Sequence, residues 1–156
     1  TVTAGAWSAT ETLTIRPDPR VSTSLAEYEA QFRFAQEIGG RMRELREALA
    51  RLRGVRARLE QIAARAATGG DVAATAQRLA GELSGSESQL TRVQGQTGPR
   101  LDAQLFGLYR AVVDGNLAPS PGIKERAGDL LPGVDRALAA LDGVMKRADA
   151  WVAQQP

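Results

Sequence analysis

The 156-residue chain contains no histidine and no cysteine. Without cysteine it can form no disulfide, no thiolate nucleophile and no Cys-type metal site. Without histidine it lacks the commonest general base and the commonest transition-metal ligand. We therefore expect neither catalytic activity nor a cofactor.

Long apolar runs and a strong net charge are also missing. No apolar stretch reaches the length of about 18 residues that spans a bilayer, so we predict no membrane span. The net charge of +2 is too small to indicate a polyanionic partner by itself. The chain begins at Thr1 without a visible signal peptide, and we expect it to be a mature or excised part of a longer protein.

The longest regular pattern lies in residues 22–68, which contain no proline. Ser24 and Glu27 have the spacing of a capping box, in which each side chain bonds the backbone amide of the other residue. Apolar or small residues then recur at steps of three or four, which is helical spacing. They are Leu25, Tyr28, Phe32, Ala35, Ile38, Met42, Leu45, Leu49, Leu52, Val55, Leu59, Ile62 and Ala66. We predict one helix, about 65 Å long at the usual rise per residue, that stops at Gly69 and Gly70.

Such a helix requires partner helices, since each leucine-sized side chain gains about 1.5–3 kcal/mol on burial. Its weak point is the pair Gly39 and Gly40, each of which costs about 1 kcal/mol relative to alanine in a helix. The apolar positions continue in phase from Ile38 to Met42. We therefore expect at most a bend there.

The first twenty residues differ from the rest. Val2 and Thr3, a turn at Gly5 and the alternating, threonine-rich residues 7–15 predict a β-hairpin, followed by a proline linker. An isolated hairpin is marginally stable in water. We interpret residues 1–20 as the remnant of a β-sandwich plus the linker, and residues 21–156 as a helical bundle.

Two further helical stretches supply the partner arms. Asp71 is the expected cap of the second arm, which we divide into residues 71–97 and 99–115 with a kink at Gly98 and Pro99. Its apolar heptad positions are Val72, Ala76, Leu79, Leu83, Ser86, Leu90, Val93 and Thr97, and the stripe resumes at Leu101, Leu105, Leu108 and Val112. Ser120 and Pro121 have the types found at a helix start, and the last helix should kink at Pro132 and end near Gln154. Its apolar positions are Ile123, Ala127, Leu130, Val134, Leu138, Leu141, Met145, Ala148 and Val152.

The predicted fold is mainly α: an elongated up-down-up three-helix bundle, with a kinked second arm, preceded by a short β-hairpin. Matching the levels of the first two arms places Tyr28 and Phe32 beside Phe106 and Tyr109. We predict an aromatic cluster there. Phe34 lies off the apolar stripe, and we predict it to be an exposed partner contact.

Residues 13–21 (LTIRPDPRV) and 24–32 (SLAEYEAQF), with the hairpin before them, resemble the C-terminal region of large secreted bacterial proteins. These are BNR-repeat or sortilin-like, glycosyl-hydrolase-like β-propellers, in which a small β-sandwich, a "DPR" linker and a helical tail follow the propeller. The resemblance implies an extracytoplasmic location, periplasmic or secreted, and a propeller upstream of this chain. It implies no active-site residue here, since any sugar-processing site would lie in the propeller.

Arginines are concentrated in residues 41–58 of the long helix: Arg41, Arg43, Arg46, Arg51, Arg53, Arg56 and Arg58. At about 100° per residue they point nearly all round the helix, and several have a carboxylate one turn away, which favours a salt-bridged surface. Asp135, Asp142 and Asp149 recur on the last helix at steps of about 10 Å, too far apart to share one ion. We expect no metal site.

Our leading hypothesis is a non-catalytic interaction or spacer module that binds a protein partner or the remainder of its own longer chain. The possible contacts are Phe34, Arg41, Arg51, Arg53, Arg56 and Arg58. One alternative is binding of an anionic polymer, nucleic acid or polysaccharide, through the arginine-rich helix, although we do not expect nucleic acid. Another is an accessory domain of a carbohydrate-active propeller.

Overall fold

The computed structural model describes residues 1–14, 16, 18–66, 70–91, 100–115 and 117–155. Within these ranges the secondary structure elements are β1 (Val2–Ala4), β2 (Trp7–Ala9), α1 (Leu25–Arg65), α2 (Asp71–Leu90), α3 (Leu101–Val113) and α4 (Pro121–Val152). Helices α2 and α3 each pack against both α1 and α4 and touch each other only slightly. Together α2 and α3 form the second arm, which confirms the mainly α, up-down-up bundle.

The predicted hairpin is present. Strands β1 and β2 are antiparallel, with Val2 opposite Ala9 and Ala4 opposite Trp7. Gly5 forms the turn at a φ of 63°, a conformation that glycine adopts without a steric penalty. Strand β2 is shorter than predicted, and in the described residues neither strand contacts a helix. The division between residues 20 and 21 stays a prediction.

The long helix α1 is one continuous element of 41 residues. The backbone N–H of Ser24 donates to Glu27 Oε2 at 2.7 Å and that of Glu27 donates to Ser24 Oγ at 3.3 Å, so the capping box is confirmed. The helix passes through Gly39 and Gly40 uninterrupted and ends at Arg65. Of the predicted stop at residues 68–70, Thr68 and Gly69 lie outside the described residues, and Gly70 is the N-cap of α2. At the usual rise, α1 is about 60 Å long.

Replacing Gly40 by alanine should stabilise the protein. A Cβ atom built at Gly40 meets nothing within 4 Å, so the methyl group adds no clash. The gain should be about 1 kcal/mol in the free energy of unfolding, because alanine loses less backbone entropy than glycine in a helix. Urea unfolding monitored by circular dichroism measures it. A loss of stability or helicity in Gly40→Ala would show that the helix must bend at this position.

Helix α2 differs from its predicted pattern at both ends. The N-cap is Gly70, which has no side chain to cap with, and Asp71 is the first helical residue. The heptad pattern placed Val72 in the apolar row, but in the first turn of α2 Val72 is exposed and its neighbour Ala73 is buried. Further along, the predicted seam residue Ser86 is half-buried and Glu87 is the buried side chain. The predicted positions Val93 and Thr97 and the kink at Gly98 and Pro99 lie outside the described residues.

Helices α3 and α4 follow their predicted patterns closely. In α3, Leu105, Leu108 and Val112 are buried and Leu101 packs against them. In α4, Ser120 Oγ accepts a hydrogen bond from the Ile123 N–H at 3.4 Å. Helix α4 continues across Pro132 to Val152. No described helix has both the length and the apolar content that crossing a membrane requires.

The core lies between the three arms and runs through both halves of the bundle. The largest fully buried side chains are Ile38, Leu45, Leu52, Leu59, Leu83, Leu90, Leu105, Leu141 and Val134. All are aliphatic, and the aromatic residues Phe34, Tyr109 and Trp151 pack against this core from its edge, where they are partly buried. The predicted stripes of α1, α3 and α4 supply most of it.

The predicted aromatic cluster is wrong, because α3 is shifted along α1 relative to the alignment that we assumed from the sequence. Phe106 lines the same cleft as Met42, and the Tyr109 ring lies 3.7 Å from the Cβ position of Gly39. Phe32 instead lies beside Val113. Phe106 therefore meets α1 about 15 Å further along the helix than Phe32.

Candidate interaction surface

Phe34, predicted to be exposed, is partly buried and packs against the core. It lies one turn before Ile38, which is fully buried, so the two share the inward face of α1. Phe32 is the exposed aromatic residue, with 62% of its surface accessible. The sequence pattern assigned the two side chains to the wrong faces because α1 packs against both other arms, through α2, α3 and α4, and its inward face is wider than one stripe.

Arg53 and Arg56, predicted as partner contacts, both bind Glu87 of α2. Arg53 Nε lies 2.7 Å from Glu87 Oε1, and Arg56 Nη1 pairs with Glu87 Oε2. The Glu87 side chain is only 8% exposed, whereas that of Arg53 is 56% exposed. Arg56 also pairs with Glu60 one turn on, as its spacing predicted. These two arginines join α1 to α2.

The pKa of Glu87 follows from this surrounding. Burial raises the pKa, but the hydrogen bonds and positive charges of Arg53 and Arg56 together outweigh burial, so the pKa lies below its ordinary value. The carboxylate is therefore ionised at neutral pH. Nothing in the sequence pattern marked Glu87, since it stands beside the heptad position assigned to Ser86.

Arg41 joins α1 to α4. Its Nη1 lies 2.7 Å from Glu44, and its Nη2 lies 3.2 Å from Asp135 Oδ1. The hydrogen bond to Glu44 and the charge of Asp135 raise the pKa of Arg41 above its usual value. Of the six predicted contacts, Arg41, Arg53 and Arg56 thus have internal ionic partners.

Arg51 and Arg58 remain exposed and lie two turns apart on one side of α1. They line a shallow cleft of about 290 Å³ with Met145 and Asp149 of α4. Within the described chain, no ion pair involves either guanidinium. These two arginines are the part of the predicted cationic surface that stays available to an anion.

A second feature, not predicted from the sequence, is a pair of shallow clefts between α1 and α3. The upper cleft, about 400 Å³, is lined by Tyr28, Phe32 and Val113. The lower cleft, about 420 Å³, is lined by Met42 and Phe106 and by the polar residues Arg46, Arg53, Thr91 and Asp102. We call the two clefts together the apolar groove and define it by Tyr28, Phe32, Val113, Met42 and Phe106.

Hydrogen bonds fix the two walls of the apolar groove. The Gln31 side-chain amide donates to the Val112 carbonyl at 2.6 Å and also to the carbonyl of Gly115, which holds the end of α3 against α1. At the other end the Thr91 hydroxyl bonds the Asp102 carboxylate, which links the end of α2 to the start of α3. The sequence signal for this groove is the pair of apolar residues Phe32 and Phe106. They remain exposed once the position of α3 along α1 is known.

Two of the three carboxylates in line on α4 have cationic partners. Asp135 pairs with Arg41, and Asp142 pairs with Lys146 at 2.7 Å. Among the residues that the structure describes, no group of three acidic side chains is placed to hold a metal ion.

The fold and its surfaces define a class: a mainly α, three-armed helical bundle with an exposed groove between two arms and a short hairpin at its N-terminus. Comparison with protein-family models, with curated proteins and with solved structures finds no match. The proposals for its function therefore rest on the geometry of the chain and on the sequence resemblance.

Proposed function

We propose that this chain is a non-catalytic helical interaction module that mediates protein–protein assembly. The observation that carries the proposal is the apolar groove. Scattered exposed apolar residues are normal, but exposed apolar residues that line a common cleft, as Phe32 and Val113 do, are typical of an interaction surface. In this groove Phe32 and Phe106 are 62% and 51% exposed and stand on facing helices. Aromatic residues, phenylalanine among them, are enriched at the buried cores of protein interfaces.

The setting of this module is proposed from the sequence resemblance alone. Residues 13–21 and 24–32 resemble the linker and helical tail of secreted β-propeller proteins. On that basis we propose that the chain is the C-terminal part of a larger extracytoplasmic protein. Its partner would be a separate protein or another part of its own longer chain. An accessory role beside a carbohydrate-active propeller belongs to the same proposal.

A second candidate function is binding of an anionic polymer. The observation in its favour is the pair Arg51 and Arg58, which share one side of α1 without an ionic partner in the described residues. The other three arginines proposed for this role pair with Glu87, Glu44 or Asp135. The patch is small, and so we favour the protein partner.

Site-directed photo-crosslinking in the natural host tests the proposed function. A photoreactive amino acid replaces Phe32 in the groove or, as the matched control, Val72, an exposed apolar residue on α2. We expect one defined protein to be cross-linked from position 32 and not from position 72. Identical cross-linking from both positions, or none from position 32, would contradict a role of this groove in assembly. Salt-sensitive retention on heparin that is lost in Arg51→Gln/Arg58→Gln would favour the second candidate instead.

A further inference from the structure

A cleft of about 510 Å³ lies where α2 ends and α3 begins, on the side that faces α4. Helix α2 ends at Leu90 and α3 starts at Leu101, so the second arm is interrupted at this level, whereas α4 passes it unbroken. The volume lies within the range of roughly 300–1,000 Å³ that is usual for small-molecule sites. We call this space the junction cleft and define it by Leu90, Arg100, Gln104, Gly133, Arg136 and Ala140.

The α4 wall of the junction cleft consists largely of small residues. Gly133, Ala137 and Ala140 recur at steps of four and three, so they lie along one face of α4. Their short side chains leave open the space that leucine-sized side chains would occupy. The Arg136 guanidinium lies beside this wall, since a Cβ atom built at Gly133 would be 4.0 Å from Arg136 Nη2.

The junction cleft carries positive charge. Arg100 and Arg136 line it together with the amides of Gln89 and Gln104, and none of its described lining residues is acidic. In the described part of the chain, no carboxylate lies within ion-pair distance of Arg136. The exposed Arg126 donates a hydrogen bond from Nη2 to Gln104 Oε1, so a third guanidinium stands beside the cleft.

The other clefts that arginines line differ in charge from the junction cleft. The lower cleft of the apolar groove has Asp102 beside Arg46, and the cleft of Arg51 and Arg58 has Asp149. A carboxylate in each of those clefts partly offsets the arginines. The junction cleft is therefore the stronger candidate for an anion.

The chemistry of the lining residues favours a phosphate group. Planar guanidinium groups bind phosphate and carboxylate oxygens through paired hydrogen bonds. A phosphomonoester carries a charge of about −1.5 to −2 at neutral pH and three acceptor oxygens, which matches the two guanidinium groups of Arg100 and Arg136. A carboxylate, with a single charge, would neutralise only one of them.

We propose that the junction cleft binds a small organic phosphate, a phosphomonoester with a compact apolar body. Arg100 and Arg136 pair with the phosphate oxygens, and the apolar body lies against Leu101 and Ala137. The proposal goes beyond the assembly function, because this cleft faces α4 and shares no lining residue with the apolar groove among the residues described.

Isothermal titration calorimetry of the full 156-residue chain with phenyl phosphate tests the proposal. Phenyl sulfate is the control ligand, since it has nearly the same shape and only a single charge. We expect phenyl phosphate to bind at least about tenfold more tightly than phenyl sulfate. The difference should narrow as salt is added, because salt screens charges that are open to solvent.

Matched substitutions on α4 assign the binding to the junction cleft. Ala139 and Ala140 are both exposed, and of the two it is Ala140 that lines the cleft. Ala140→Glu places a carboxylate at the cleft and should weaken phenyl phosphate at least about tenfold, whereas Ala139→Glu should change the affinity less than about twofold. Arg136→Gln should weaken it about tenfold. Circular dichroism verifies that each variant is folded.

Several results would overturn the proposal. No binding of phenyl phosphate, equal affinity for phenyl sulfate, or no effect of Ala140→Glu would show that the cleft does not recognise a phosphate. Binding that Arg58→Gln abolishes and Arg136→Gln does not would place the anion in the cleft of Arg51 and Arg58. Binding of phosphatidic acid vesicles alone, abolished by Arg136→Gln, would make the ligand a lipid headgroup and not a free molecule. Cross-linking from position 32 is independent of all these results, so the proposed function and this proposal can fail separately.

Discussion

Replacing Arg53 and Arg56 together by methionine should lower the free energy of unfolding by about 3–5 kcal/mol near neutral pH. Methionine keeps the apolar stem of each side chain but leaves the Glu87 carboxylate, which is 8% exposed, without its two cationic partners. A buried charge that loses its partners retains its desolvation penalty and gains nothing in return. Chemical unfolding of the variant and the unmodified chain measures the difference.

The pH dependence of this loss has a definite sign. In the unmodified chain the arginines hold the folded-state pKa of Glu87 below its ordinary value. The stabilisation by Glu87 is thus fully present above the unfolded-state pKa of about 4.3 and disappears as the pH falls through the lowered folded-state pKa. In the variant, burial alone acts and raises the folded-state pKa, so protonation relieves the penalty. The stability difference between the two proteins should therefore shrink as the pH is lowered from 7 towards 3.

Glu87→Gln is the matched control for the arginine pair. It removes the charge at the buried position and leaves two arginines that reach solvent, so its loss should be smaller, about 1–2 kcal/mol. Adding Glu87→Gln to the double methionine variant should recover part of the stability, because the unpaired carboxylate is then gone. If the double methionine variant is no less stable than Glu87→Gln, the carboxylate remains hydrated in solution and the buried pair does not hold α1 to α2.

Leu52→Ala should lower the free energy of unfolding by about 2–5 kcal/mol. Leu52 is fully buried in the core, at the level where α2 faces α1. The truncation removes apolar contacts and leaves a cavity, because long, regular helices do not move enough to close it. For a protein of this size the melting temperature should fall by roughly 2–4 °C for each kcal/mol lost.

Val72→Ala is the comparison for Leu52→Ala. Val72 is an apolar residue of a predicted stripe that is exposed in the structure, so its truncation should change stability by no more than about 0.5 kcal/mol. Thermal unfolding of both variants gives the two values. A similar effect of both substitutions would show that the core is not packed as described around α1.

The helices could be predicted from sequence because their signals are local. The capping box of Ser24 and Glu27, the cap at Ser120 and the spacing of apolar residues in α1, α3 and α4 each act within a few residues. The continuity of α1 through Gly39 and Gly40 was predictable for the same reason: the apolar phase is kept on both sides of the pair. The hairpin followed from alternation and the turn at Gly5.

The candidate surface could be predicted only in part. The arginines of α1 were found by composition, but which of them remain available depends on carboxylates far away in the sequence, such as Glu87 and Asp135. The exposure of Phe32 and the partial burial of Phe34 depend on how α3 and α4 divide the face of α1 between them. The apolar periodicity of α1 does not show which of its residues face α3 and which face α4, because several neighbouring positions of a long helix fit the same pattern.

The sequence by itself determined the kind of fold. A capped helix of unusual length and two further apolar arms require a mainly α bundle, since so long an apolar stripe cannot stay in water. Only the tertiary structure decided the level of α3 against α1, and with it the apolar groove and the burial of Glu87. The physical reason is the separation along the sequence over which each interaction acts. Caps and periodicity act within a turn or two of one helix, whereas the level of one helix against another is set by side chains that are distant in sequence and meet only when the bundle is packed.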